Sequence, residues 1–168
     1  ALKILSRENN SVILCNIARN LNASADILRT LSRENNSVLL SNIAFNKNTP
    51  ADVLLKLAHI RNSEIRSTVA LNVNTTPETL QILANDKLPN VRAIVAYNEN
   101  TPADILDALS TDKNINVRTN VARNSNTKIE TLKKLANDEF PSVKSMASSN
   151  IQKLSESILR NYIKTLLS

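Results

Sequence analysis

The hydrophobic residues of this 168-residue chain recur in two short patterns with helical spacing. In the first pattern, seen at 105–110 (ILDALS), apolar or small side chains occupy positions i, i+1, i+4 and i+5. In the second, seen at 91–96 (VRAIVA), they occupy positions i, i+4 and i+5. Both spacings place these side chains on one face of a helix. The chain is therefore predicted to alternate two amphipathic helices, of which the second is shorter and either α-helical or partly 3₁₀.

The two patterns return together with a period of 26 residues. The string FNKNTPAD at 45–52 reappears as YNENTPAD at 97–104, and LNVNTTPE at 71–78 lies midway between them. The first asparagine of the string falls at Asn20, Asn46, Asn72, Asn98, Asn124 and Asn150. A fixed period of this length is typical of stacked helical repeats. We therefore predict an all-α solenoid of six two-helix units.

The polar string between the two patterns predicts where helices end and begin. Thr101 precedes Asp104 by three residues, the spacing of a capping box, and Pro102 suits the first position of a helix. Asn98 is expected to end the preceding helix in a left-handed conformation, because the chain has no glycine for that role. The same cap is predicted at Thr49, Thr75 and Thr127.

Two units resemble a known repeat family. The sequences VRAIVAYNENTPADILDALSTD (91–112) and VRTNVARNSNTKIETLKKLAND (117–138) are similar to the leucine-rich repeat variant, and the resemblance extends over roughly residues 1–150. It implies a right-handed superhelix of paired helices without strands, related in shape to HEAT and armadillo solenoids. Some family members hold an iron–sulfur centre on a cysteine cluster. Cys15 is the only cysteine here, so no cofactor is expected.

The two ends of the chain depart from the repeat. Ala1 and Leu2 fall inside the first helix of a unit, so we predict six repeats over 1–154, the first truncated, within a longer protein. Residues 155–168 (SESILRNYIKTLLS) carry apolar side chains at helical spacing, which predicts a C-terminal capping helix that begins at Ser155. A membrane-surface helix is the poorer interpretation, because Arg160 and Lys164 make too few basic side chains.

Composition argues against catalysis. The chain has no glycine for a phosphate-binding loop, and one histidine and one cysteine cannot form a zinc site or a disulfide. Acidic residues do recur, but a residue that repeats at the period is expected to be structural. We therefore predict no catalytic, metal or cofactor site, no small-molecule substrate and no membrane association, and we take the cytoplasm as the expected location.

A net charge of +6 raises the alternative of nucleic-acid binding. One basic column repeats with the period: Arg66, Arg92, Arg118 and Lys144. With about 10 Å between packed helices, this column could follow a line of phosphates. However, an acid lies six residues before each of the last three, as Asp86 does before Arg92. An acid–base ladder is therefore also predicted, with partly exposed rungs that each contribute at most about 1 kcal/mol.

Two variable columns of the second helix indicate a binding surface. Between the fixed alanine and the fixed asparagine stand Arg19, Phe45, Leu71, Tyr97 and Arg123, and three residues before Tyr97 stands Ile94. Phe45, Leu71, Ile94 and Tyr97 are expected to form an apolar stripe with basic flanks at Arg19 and Arg123. Such a stripe is typical of a site for a protein or peptide. The competing interpretation is that these side chains pack on neighbouring turns.

Overall fold

The computed structural model describes residues 10–166, and the side chains of all of these except Ile163 and Leu166. Throughout this range every regular element is a helix, which confirms the predicted all-α class. The eleven helices are α1 (Ser11–Arg19), α2 (Ala25–Leu31), α3 (Ser37–Phe45), α4 (Ala51–Leu57), α5 (Ser63–Leu71), α6 (Pro77–Ala84), α7 (Pro89–Tyr97), α8 (Ala103–Leu109), α9 (Ile115–Arg123), α10 (Ile129–Leu135) and α11 (Pro141–Leu166).

The helices stack as a nearest-neighbour array. Each odd-numbered helix packs against the next odd-numbered helix, from α1 on α3 to α9 on α11, and each even-numbered helix packs on the odd-numbered helices before and after it. Every unit is therefore held mainly by the units beside it, as in other helical solenoids. Among residues 10–166, no helix combines the length and apolarity needed to cross a bilayer.

The core between the helices is aliphatic, as the composition predicts. Leu106 of α8 and Val95 of α7 are fully buried, and the equivalent positions of the other units are buried wherever the structure describes them. The aromatic side chains contribute little to this core, because Phe45, Tyr97, Phe140 and Tyr162 are all exposed. Aliphatic packing thus holds the stack together and leaves the aromatic rings at its surface.

The second helix of each unit is neither shorter than the first nor 3₁₀, which corrects the prediction from spacing. Helices α1, α3, α5, α7 and α9 have nine α-helical residues each, whereas the even-numbered helices have seven or eight. The first turn of these longer helices consists largely of polar residues. The spacing of apolar residues therefore underestimates the length of these helices. In α9, for example, the Asn114 side chain caps the helix by accepting the Asn116 amide.

Five of the six fixed asparagines end odd-numbered helices, but not in the predicted left-handed conformation. Asn98 has φ −64° and ψ 124°, and no residue among 10–166 has a positive φ. The extended backbone frees the side chain to make other bonds. Its Oδ1 accepts the backbone amide of Asn100 at 2.8 Å, so the asparagine closes its own turn.

The predicted capping box is also wrong. The residue before α8 is Pro102, whose backbone is extended at φ −61° and ψ 152°, so the helix begins one residue later, at Ala103. Thr101 is fully buried, and its hydroxyl donates to the Val95 carbonyl at 2.5 Å. The threonine therefore satisfies a carbonyl in the last turn of the preceding helix instead of capping the next one. Thr49, Thr75 and Thr127 make the same bond.

The last helix is continuous, so the boundary predicted at Ser155 is wrong. Helix α11 runs from Pro141 to Leu166, and the Ser155 hydroxyl donates to the Ile151 carbonyl in mid-helix. After Asn150 the second asparagine and the threonine of the turn are replaced by Gln152 and Lys153, which favour helix. Residues 155–162 are all exposed, so this segment extends the helix instead of forming a separate cap.

Candidate interaction surface

The last residues of the odd-numbered helices lie in one row along an edge of the stack. Phe45, Leu71 and Tyr97 end α3, α5 and α7, and they are 72%, 46% and 52% exposed. Each is preceded by a buried alanine and followed by a buried asparagine, for example Ala96 and Asn98. Because both neighbours face the interior, the residue between them is directed into solvent.

Shallow grooves connect the side chains of this row. The first groove, between the ends of α3 and α5, is lined by Phe45, Lys47, Thr68, Leu71 and Val73. The second is lined by Leu71, Val73, Tyr97, Glu99 and Asn100. The third is lined by Tyr97, Glu99, Asn120, Arg123 and Ser125. Consecutive grooves share residues, so they form one trough with one compartment per unit. The first compartment is mainly apolar and the third is polar and charged.

The trough includes a column that the sequence analysis missed. The residue between the two asparagines of each turn is exposed, and it is apolar at Leu21 and Val73, which are 54% and 63% exposed. The same column supplies Lys47 and Glu99 to the grooves. The variation of this position between two fixed asparagines is the signal that would have identified it.

Ile94 does not belong to the exposed row, in contrast to the expectation. It is partly buried and packs against the core. Its column faces the adjacent odd-numbered helix, because the equivalent Asn120 of α9 donates its side-chain amide to the Ala93 carbonyl of α7 at 2.8 Å. We therefore define the apolar row as Phe45, Leu71, Val73 and Tyr97.

The predicted basic flanks are exposed at the two ends of the row. Arg19 ends α1 and Arg123 ends α9, next to the third groove. Lys47 adds a third positive charge beside Phe45. Within residues 10–166, no carboxylate lies within ion-pair distance of these three side chains. Their charge is therefore unneutralised by the described residues, and Glu99 is the acid that lines the trough.

The other predicted basic column is engaged in ion pairs. Arg92 donates from Nε and Nη2 to the Asp112 carboxylate at 2.6 and 2.9 Å, and from Nη1 to the Asp86 carbonyl at 2.7 Å. The same bidentate bonds join Arg66 to Asp86 and Arg118 to Asp138. The ladder exists, but the carboxylate partner lies twenty residues after the arginine and not six before it.

Burial makes these ion pairs different from the partly exposed rungs that the sequence predicts. The side chains of Arg66 and Asp86 are 9% and 6% exposed, and those of Arg118 and Asp138 are both 9% exposed. A phosphate would have to displace a buried carboxylate to reach these guanidinium groups. Lys144, the last member of the column, is exposed. The geometry thus disfavours the alternative phosphate line.

The aspartates of the ladder remain ionised because of their hydrogen bonds. The Arg118 guanidinium holds the pKa of Asp138 below its ordinary value of 3.8, although burial opposes this shift. For Asp86, burial is the largest influence and raises the pKa, but the bonds from Arg66 and the Leu88 amide outweigh it, so the net shift is downward. Each pair therefore links two adjacent units through charged groups.

The fixed asparagines form a second link between units. Asn98 donates its side-chain amide to the carbonyls of Ala70 and Asn72, at 2.7 and 3.4 Å, in the preceding unit. Equivalent bridges are made by Asn46, Asn72, Asn124 and Asn150. This bridge explains why the polar string is repeated without a shift in spacing. A single insertion would break the alignment of successive amides and carbonyls.

The polar string between the helices has a structural role, and metal binding is the next function to consider. Within residues 10–166, no group of three His, Cys, Asp or Glu side chains could hold a metal ion. Cys15 is partly buried against the core, and His59 is exposed. The exposed row and its grooves are a feature that the packing of the stack does not explain.

Comparison with known proteins identifies one unit of the chain. The chain is similar to a solved leucine-rich repeat variant described as a novel repetitive structural motif, at 20% identity over 89% of this chain and 70% of that one, with a TM-score of 0.42. It is also similar to an engineered protein, at 18% identity over 90% and 95% of the two chains, with a TM-score of 0.47. No curated protein matches it. The family model of the leucine rich repeat variant matches residues 89–114, one 26-residue unit. The unit at residues 89–114 therefore matches the leucine-rich repeat variant that the sequence predicted.

Proposed function

We propose that this chain is a non-enzymatic scaffold that binds a protein segment or peptide along the row formed by Phe45, Leu71, Val73 and Tyr97. The observation that supports the proposal is the position of the aromatic rings. The core is aliphatic and complete without them, yet equivalent positions of two units carry Phe45 and Tyr97 in solvent. Large exposed aromatic and aliphatic side chains are the groups that anchor protein interfaces.

The row offers enough apolar surface for recognition. Burying exposed apolar area contributes roughly 25 cal/mol per Å², and an aromatic ring contributes more than any other side chain at an interface. Leu71 and Val73 lie between the two rings and line both apolar grooves. A partner that covered the row would therefore bury four neighbouring apolar side chains at once.

The scaffold presents this row on fixed positions. Each exposed residue lies next to an asparagine whose amide is bonded to the preceding unit, as Asn72 is bonded to the Ala44 carbonyl at 2.7 Å. Rigid positioning lowers the entropy that is lost when a partner binds. The asparagine bridges thus favour a preorganised surface, and not one that forms only on contact.

Charges around the row favour an acidic partner at one end. Lys47 lines the groove beside Phe45, and Arg19 ends α1, the helix that packs on α3. Neither has a carboxylate partner among the described residues, whereas the opposite end combines Glu99 with Arg123. Complementary charges increase the association rate and fix the orientation of a partner. We therefore expect the bound segment to carry acidic residues near the Phe45 end.

A peptide selection tests this function directly. A displayed library of random peptides is selected on the purified chain, and the enriched peptides are measured by fluorescence anisotropy. Changing Phe45, Leu71 and Tyr97 to serine is expected to weaken their binding at least about tenfold, because each anchor contributes of the order of 1 kcal/mol or more. Surface substitutions typically alter folding stability by about 0.5 kcal/mol or less, so the variant should remain folded.

The control removes apolar side chains from elsewhere on the surface. Val12 and Val38 are 66% and 65% exposed at the starts of α1 and α3, and Ile82 is 38% exposed in α6. Changing these three to serine should leave peptide binding unaltered. Equal binding by both triple variants would contradict the proposal. Salt-sensitive binding of DNA or RNA oligonucleotides that survives the first triple change would instead support the nucleic-acid alternative.

A further inference from the structure

The spacing of the grooves constrains the conformation of the bound segment. The trough has one compartment per unit, and adjacent odd-numbered helices are in contact. Packed helices lie about 8–10 Å apart. A ligand that follows the trough must therefore present one side chain to it about every 8–10 Å.

A polyproline-II conformation meets this requirement, whereas a β-strand does not. The polyproline-II helix has three residues per turn and rises about 3.1 Å per residue, so every third side chain returns to the same face after about 9.3 Å. In a β-strand, side chains on one face are separated by about 6.6 Å or twice that distance. Neither strand spacing fits successive compartments.

A second feature of the trough fits a ligand of this conformation. In four units the second asparagine of the turn uses its Nδ2 to bond the preceding unit, as Asn100 does to the Val73 carbonyl at 2.8 Å and Asn74 does to the Lys47 carbonyl. No described residue donates a hydrogen bond to the Oδ1 of either side chain. Asn100 lines the second groove, and Asn74 occupies the equivalent position of the preceding unit. The backbone N–H groups of a polyproline-II segment make no internal bonds and are free to donate.

We propose that the chain binds an extended, polyproline-II-like peptide that places one side chain in each of three successive compartments. This inference rests on the proposed function. The peptide carries an acidic residue beside Lys47 and Arg19, then an apolar residue in the Phe45–Leu71 compartment. A second apolar residue, three positions on, occupies the Leu71–Tyr97 compartment. The third compartment, between Glu99 and Arg123, takes an amide side chain three positions further, since an amide both donates and accepts.

Labelled twelve-residue peptides of defined spacing test the inference. Each peptide has a proline- and serine-rich background and two leucines placed two, three or four residues apart. An acidic residue stands before the first leucine, and a glutamine stands three residues after the second. Each peptide is also made with the reversed sequence. The three-residue spacing is expected to bind about tenfold more tightly than the other two, because a mismatch removes one apolar anchor. This preference should vanish on the F45S/L71S/Y97S variant.

A helical ligand is the competing arrangement and has its own peptide. In an alanine- and lysine-rich background, leucines seven residues apart are separated by about 10.5 Å along a helix, which would also match the units. The extended ligand would be overturned if this helical peptide bound more tightly than the extended peptides and lost its binding on the F45S/L71S/Y97S variant. It would also be overturned if the extended peptides bound to the row equally well at all three leucine spacings. Either result would leave the proposed function intact. If no peptide of either series distinguishes the chain from the F45S/L71S/Y97S variant, the extended ligand is overturned, and the selected peptides decide the proposed function.

Discussion

Changing Asp86 to alanine is expected to destabilise the folded chain by about 3–5 kcal/mol, because it leaves a buried guanidinium without its carboxylate. Arg66 donates to Asp86 from Nε and Nη2 at 2.5 and 3.0 Å, and both side chains are almost fully buried. The same carboxylate accepts the Leu88 backbone amide at 2.9 Å, which would also lose its partner. The free energy of unfolding, measured by chemical denaturation, reports the loss.

An exposed ion pair of the same geometry provides the control. Arg29 donates to Asp52 from Nε and Nη2 at 2.8 and 3.1 Å, but these side chains are 45% and 60% exposed. Exposed pairs contribute little because water solvates both partners after the change. Asp52→Ala should therefore cost only a small fraction of the loss for Asp86→Ala. Similar losses for the two variants would show that burial does not set the strength of the ladder.

The same ion pairs predict how stability changes with pH. The pKa of Asp86, like that of Asp112 and Asp138, is lowered from 3.8 in the folded chain. A lowered pKa contributes stability that is complete above the unfolded value and is lost as pH falls through the folded value. We therefore expect the free energy of unfolding to decline below about pH 4, and to decline less in Asp86→Asn.

Changing Asn98 to alanine is expected to cost about 3 kcal/mol, because it leaves buried carbonyls and a turn amide without partners. The side chain donates to the Ala70 and Asn72 carbonyls and accepts the Asn100 amide, and Asn98 is only 7% exposed. Glycine should be no better tolerated, since the backbone here is extended and needs no left-handed residue. Chemical denaturation of the two variants measures both effects.

Asn90 is the matched control for this prediction. It lies in the same unit, in the first turn of α7, where it is exposed and makes no hydrogen bond through its side chain to any residue in 10–166. Asn90→Ala should leave the free energy of unfolding within about 0.5 kcal/mol of the original value. If Asn98→Ala lowered the free energy of unfolding as little as Asn90→Ala, the amide bridge would not stabilise the contact between units.

Periodic spacing predicts the core and the number of units, but not the partners of the polar residues. Leu106 and Val95 could be identified as buried because side chains four residues apart share a helix face. The asparagine at 98 suits either a left-handed helix end or a bridge to the preceding unit, and the sequence does not distinguish them. Arg92 has one acid six residues before it and another twenty residues after it. Which of them it contacts depends on how adjacent units pack.

The exposed row was predicted only in part, because helical spacing shows which residues lie off the core face but not how adjacent units pack. Phe45, Leu71 and Tyr97 stand in a variable column off the core face, so their exposure follows from helical geometry. Ile94 lies in the column that faces the preceding odd-numbered helix, as Asn120 does in α9, and only the packing of α7 against α5 determines that burial. Val73 lies in a turn, where no helical period applies.

Nuclear magnetic resonance mapping of a bound peptide tests the central claim that the row is a binding surface. Amide shifts are followed while a selected peptide is added to the isotopically labelled chain. We predict that the largest changes fall at 45–47, 71–73, 97–99 and 123–125, where the trough lies. Changes centred instead on the starts of the odd-numbered helices, near Val12 and Val38, would contradict the account.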